Sequence, residues 1–129
     1  MRTILLIDDD DIFLMLTKKI IENTSFVNQI HTCKNGKEAI ELLSENLLNH
    51  KTLPEYIFLD INMPVLDGWG FLEEFNQLKT QYPIQVHIYL ISSTISPYDL
   101  TRAKENRDVS DIFIKPISKD LFSQIFNKG

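Results

Sequence analysis

Apolar residues in this chain come in short runs that alternate with stretches spaced for helices. Ile4-Leu5-Leu6-Ile7, Tyr56-Ile57-Phe58-Leu59 and the longest run, Val86–Ile91, are nearly unbroken apolar segments. Segments of this length and type read as strands buried on both faces of a parallel sheet. Gln29–Cys33 mixes polar and apolar residues, as an edge strand does, and Ile112-Phe113-Ile114 forms a last short strand. Between them, Ile12, Phe13, Leu16, Ile20 and Ile21 recur at helical spacing, as do Ala39, Leu42 and Leu43. Phe71, Leu72, Phe75 and Leu78 form a third stripe, which Pro83 closes. Leu121, Phe122, Ile125 and Phe126 form the final one.

The punctuation agrees with these periods. Asn35-Gly36-Lys37-Glu38 predicts a capping box, Ser96-Pro97 with Asp99 a helix start, and Ser118 an N-cap. The helix after Ser96 has little apolar content beyond Leu100 and Ala103, which predicts thin packing. Five strands alternating with five helices indicate an α/β fold on a parallel sheet. No repeat, low-complexity tract or linker interrupts the pattern, so residues 1–129 are read as one domain.

Composition narrows the class. A content of 43% hydrophobic and 24% charged residues is that of a globular protein. The net charge of −5, with no basic face, argues against direct binding of nucleic acid. The single cysteine, Cys33, excludes an internal disulfide and is read as a small core hydrophobe. Ile4–Ile7 is too short for a secretory signal and runs into aspartates, and no run approaches the roughly 18 apolar residues of a membrane span. A cytoplasmic protein without a membrane partner is expected.

Three of the apolar runs end in charge: Ile7 in Asp8–Asp11, Leu59 in Asp60, and Ile114 in Lys115. In an open parallel sheet the carboxyl ends of the strands share one edge, where ligands bind. Carboxylates brought within about 4 Å there repel by about 4 kcal/mol per pair at an effective dielectric near 20. Folding gains nothing from that arrangement, which points to a cation or a reaction. Aspartates and a backbone carbonyl offer hard oxygen ligands for Mg²⁺. Lys115 and Ser92, across the rim, suit a phosphoryl group, with one carboxylate left to attack it.

Four motifs in order carry a family resemblance over almost the whole chain: Ile7-Asp8-Asp9, Asp60-Ile61-Asn62-Met63-Pro64 with Asp67-Gly68, Ser92, and Lys115-Pro116. The chain resembles a single-domain response regulator receiver of two-component (phosphorelay) signalling. That resemblance implies a flavodoxin-like (βα)5 doubly wound fold with strand order 2-1-3-4-5. It implies that Asp60 is the phosphoacceptor, served by a sensor histidine kinase or a histidine phosphotransfer protein. Mg²⁺ is implied as cofactor, held by Asp60, by Asp9 directly, by Asp8 mostly through water, and by the backbone carbonyl of Asn62. Lys115 is implied to pair with Asp60 before reaction and with a phosphoryl oxygen after it. Ser92 is implied to hydrogen-bond another phosphoryl oxygen, and the Lys115–Pro116 bond to be cis. Such a receiver is a switch that catalyses its own phosphoryl transfer rather than an enzyme acting on other substrates. A downstream protein is expected on the face made by the helix after Ser96, the Ile112 strand and the last helix.

Two features depart from the family pattern. Ile112 stands at the switch position where receivers usually carry an aromatic, with Phe113 on the opposite face. Ser92 stands in place of threonine, which removes a methyl group and keeps the hydroxyl. The resemblance implies that the positions of Asn62 and Thr94 tune phosphoryl lifetime. Asp10, Asp11 and Asp67 are read as helix-start residues, Trp69 as a packing residue, and His31, His50 and His87 as isolated histidines. A haloacid-dehalogenase-type phosphatase needs a second aspartate where Asn62 stands, and a flavodoxin needs a phosphate loop where Asp8–Asp11 would repel one. A degenerate receiver that binds partners without phosphorylation, or a receiver excised from a larger regulator, remains as an alternative.

Overall fold

The computed structural model describes residues 2–128. Its elements are β1 (Arg2–Ile7), α1 (Asp11–Glu22), β2 (Val27–Cys33), α2 (Gly36–Leu48), β3 (Tyr56–Asp60), α3 (Gly68–Gln81), β4 (His87–Ser92), α4 (Pro97–Glu105), β5 (Val109–Ile114) and α5 (Lys119–Lys128). The strands form one parallel sheet in the order β2-β1-β3-β4-β5. The order reverses between β1 and β3, which opens a crevice at their carboxyl ends.

Alternation along each strand divides the core in two. Leu5, Ile7, Ile57, Leu59, Ile88 and Leu90 meet Ala39, Leu43, Phe71 and Phe75 of α2 and α3. Ile4, Leu6, Tyr56, Phe58 and Ile91 meet Leu14, Ile21, Phe122 and Phe126 of α1 and α5. Edge-on aromatic contacts join the second half, with Phe58 and Phe122 centroids 5.1 Å apart and Tyr56 and Phe126 5.3 Å apart.

Most helix signals act as the sequence suggests. Ser96 and Asp99 form a full capping box, and Ser118 Oγ accepts from the Leu121 N–H. At α2 the box is half made: Asn35 Oδ1 accepts from the Glu38 N–H, while the Glu38 carboxylate takes the Asn35 side-chain amide instead of its backbone N–H. Helix α4 is thinly packed, burying only Ala103. On β5, Ile112 packs toward the α2–α3 half of the core and Phe113 toward the α1–α5 half. At this outer strand the Asp111 carboxylate accepts a hydrogen bond of 2.8 Å from the Ile112 N–H. Among the described residues, no helix is long and apolar enough to cross a membrane.

Candidate functional site

Strand register assembles the charged strand ends. Ile7 pairs with Leu59, so Asp8 and Asp60 leave neighbouring strands at the same level. Asp60 pairs with Ile91 and Ser92 with Ile114, which places Ser92 and Lys115 on the same rim. The Lys115 N–H donates to the Ser92 carbonyl at 2.9 Å, and the Lys115–Pro116 bond is cis.

One carboxylate oxygen from each of Asp8, Asp9 and Asp60 lies within 4.8 Å of the others. Asp8 and Asp60 are buried at 1% and 5% exposure, whereas Asp9 faces solvent. Asp10 supports the trio from behind. It caps α1 by accepting from the Ile12 and Phe13 N–H groups, and its own N–H donates to Asp8 Oδ1 at 2.9 Å. Asp11 lies in the first turn of α1, where its charge suits the helix terminus.

Lys115 supplies the positive charge of the site. Its Nζ is 2.6 Å from Asp8 Oδ2 and 3.5 Å from Asp60 Oδ1. The lysine expected to pair with Asp60 therefore sits between two carboxylates and closer to Asp8. Burial pushes the Asp60 carboxyl up to about 6, and the neighbouring Asp8 charge adds to the rise, which Lys115 only partly opposes. Burial also raises Asp8, against the pull of Lys115 and of the Asp10 N–H. Asp8 Oδ2 is buried and lacks a partner in hydrogen-bonding geometry, even with the ammonium beside it. Three carboxylates that gather around a single lysine leave an excess of negative charge, a donor set suited to a hard divalent cation.

This arrangement has known counterparts. The profile of the response regulator receiver domain matches residues 4–127. The chain belongs to that family. It is 32% identical over 115 residues to the probable methanogenesis regulatory protein FilR2 of Methanothrix harundinacea, covering 89% of this chain and 72% of that protein. It is 26% identical to the chemotaxis protein CheY of Bacillus subtilis, over 97% of this chain and 94% of CheY. A two-component response regulator from Cytophaga hutchinsonii superimposes with a TM-score of 0.88 at 32% identity, over 98% of this chain and 94% of that one. The chain spans only 22% of protein-glutamate methylesterase/protein-glutamine glutaminase 2 from Methanospirillum hungatei, so such a domain also occurs within much longer proteins.

The loop after the receiver's Asp60 is held tightly. The Gly68 N–H donates to the Ile61 carbonyl at 2.8 Å, and a Cβ on Gly68 would lie 2.7 Å from the Asp60 carbonyl oxygen. Only glycine tolerates that approach. Asp67 caps α3 by accepting from the Gly70 N–H, and the Gly36 N–H at the start of α2 donates to the Leu66 carbonyl. Between them, Val65 has φ 70° inside a three-residue turn closed by Leu66 N–H to Pro64 carbonyl at 2.8 Å. That conformation is strained for a β-branched residue.

The remaining predicted residues fall around this centre. Ser92 is buried at 1%, Asn62 and Thr94 have exposed side chains, and Ile112 is half-buried away from the acidic trio's rim. Trp69 is a packing residue, buried at 8%. Two contacts escape the sequence. The Phe13 ring, assigned only to a core stripe, has Lys115 Nζ 4.4 Å from its centroid. The Arg102 guanidinium lies 4.5 Å from the Trp69 ring and 5.9 Å from Tyr98. No spacing signal announces Lys115 over Phe13 or Arg102 over Trp69, because those partners lie on different elements, whereas Tyr98 and Arg102 stand four residues apart on α4.

Proposed function

We propose that this receiver takes a phosphoryl group onto Asp60 from a sensor histidine kinase or a histidine phosphotransfer protein, and switches conformation to bind a protein target. The observation that carries the reading is Asp60 itself: a buried carboxylate at the rim, 3.5 Å from Lys115 and within one acidic trio. A bond forms between an Asp60 carboxylate oxygen and phosphorus as the phosphorus–nitrogen bond to the donor imidazole breaks. Lys115 meets a phosphoryl oxygen and offsets the anion–anion repulsion of the attack. The Ser92 hydroxyl donates to a second oxygen.

Mg²⁺ is the cofactor of this reading, held by Asp8, Asp9, Asp60 and the Asn62 backbone carbonyl. When bound, the ion supplies charge that neutralises the phosphoryl oxygens and the carboxylates around them. The chain's own residues hold the reacting oxygen, so the receiver catalyses its own modification and acts on no other substrate. The product adds roughly −1.5 to −2 charge beside Asp60, by analogy with other protein phosphates. A local change of that size biases a weakly held element. Helix α4, β5 and α5 form the target-binding face, and the thin packing of α4 makes it the element most easily moved. A cytoplasmic site of action accords with a phosphorelay.

Incubation with Mg²⁺ and a small acyl phosphate, read by intact mass, tests the proposal. One added phosphoryl group is expected, and none in Asp60→Asn. An unchanged wild-type mass with several donors supports a phosphorylation-independent binding module instead.

A further inference from the structure

The α1 residue Phe13 touches the reactive lysine but belongs to none of the motifs. Lys115 Nζ lies 4.4 Å from the Phe13 ring centroid, 2.6 Å from Asp8 Oδ2 and 3.5 Å from Asp60 Oδ1, so the ring and two carboxylates surround it. The lysine side chain retains 14% exposure. An ammonium over an aromatic face is drawn to the ring's negative quadrupole, and the attraction grows as water is excluded. A lysine otherwise carries its charge on a flexible four-carbon stem that must be fixed to be useful.

The contact also closes a circuit. The Phe13 N–H donates to Asp10 Oδ1, the Asp10 N–H donates to Asp8 Oδ1, and Asp8 Oδ2 meets Lys115. Phe13, Asp10, Asp8 and Lys115 thus support one another without Asp60. We propose that Phe13 is a positioning residue for phosphoryl transfer: its ring holds the Lys115 ammonium at the rim while Asp60 changes from free carboxylate to acyl phosphate. This inference rests on the phosphoacceptor reading and adds a residue to it. The Phe13 side chain has no donor or ligand atom to offer a phosphoryl group or a metal, so it acts through Lys115.

Phe13→Leu keeps an apolar side chain and removes the ring face, whereas Phe13→Tyr keeps the face. Two quantities are measured on the full chain: the rate of mass gain with Mg²⁺ and a small acyl phosphate, and the proton shifts of the Lys115 ε-methylene. In wild type and Phe13→Tyr the ring moves those protons upfield. Phe13→Leu is expected to lose the shift and to slow phosphorylation by about 3- to 30-fold, the range of one cation–ring contact. Phe13→Tyr is expected to stay near the wild-type rate. A wild-type rate in Phe13→Leu, or equal slowing in both variants, overturns the positioning role. Ordinary Lys115 shifts in the wild type overturn the contact itself, even if phosphorylation proceeds. If no protein gains mass, the phosphoacceptor reading fails and the positioning role with it, and the Lys115 shifts then report only on the contact.

Discussion

Lys115 leans toward Asp8: its Nζ is 2.6 Å from Asp8 Oδ2, closer than the 3.5 Å to Asp60 Oδ1. The ammonium thus neutralises the deepest carboxylate of the trio and leaves Asp60 the less compensated of the two. On the proposed reading, in which Asp60 attacks a phosphoryl group, that bias keeps its charge out of a short ion pair.

Removing the lysine leaves two buried carboxylates without their cation, and such a loss is strongly destabilising. Lys115→Met is expected to lose about 2–3 kcal/mol of unfolding free energy at neutral pH in chelator, discounted for the partial exposure of the pair. Denaturant midpoints with and without Mg²⁺ check this. The variant should gain more from Mg²⁺ than wild type does.

Asp60 binds its proton more tightly in the native state, with its carboxyl at about 6 against an ordinary 3.8. Between those values the native state holds more protons than the unfolded chain, so stability falls as pH rises through that window. In metal-free protein the total is about 3 kcal/mol at most, from 1.36 kcal/mol per pH unit. Asp60→Asn should flatten the profile from pH 4 to 7 and stabilise the metal-free protein at pH 7. An unchanged slope in urea titrations counts against the assignment.

Val65 keeps φ at 70° while 75% exposed, so its side chain gains little packing for its strain. Asparagine tolerates positive φ better than a β-branched residue does. Val65→Asn is expected to raise stability by about 1 kcal/mol, seen as a later urea midpoint with the same slope. An earlier midpoint would show that the turn does not store strain.

Arg102 over Trp69 ties α4 to the first turn of α3, and Trp69 is the sole tryptophan of the chain. Arg102→Ala should shift the indole emission of the resting protein and speed amide exchange in residues 97–105 about two- to fivefold. Unaltered emission together with unaltered exchange would mean that the stack holds nothing.

The fold was legible because its inner strands β1, β3 and β4 are short apolar runs and its helices carry apolar stripes with capping residues at their starts. The same property exposed the site, since Asp8, Asp60 and Ser92 each close a buried run and Lys115 follows the apolar though partly exposed end of β5. Cys33 read correctly as core: it is 6% exposed, and burial pushes its thiol up to about 11. The preference of Lys115 for Asp8 was not legible, because it depends on how deep each carboxylate sits rather than on which residues are present. Phe13 was hidden for a related reason, since its apolar stripe position accounted for it fully. The turn at Val65 runs against local propensity, and only the surrounding anchors at Gly36 and Gly68 impose it.

The carboxylate of Asp111 on the Ile112 N–H bears on assembly. It occupies a backbone donor of the outermost strand, and edge donors are what a foreign strand uses to extend a sheet. A strand that added to β5 would therefore meet one donor already engaged and would have to displace the Asp111 carboxylate to pair with it. On the proposed reading, in which a target docks beside α4, that carboxylate favours recognition through side chains over shared backbone pairing at this position.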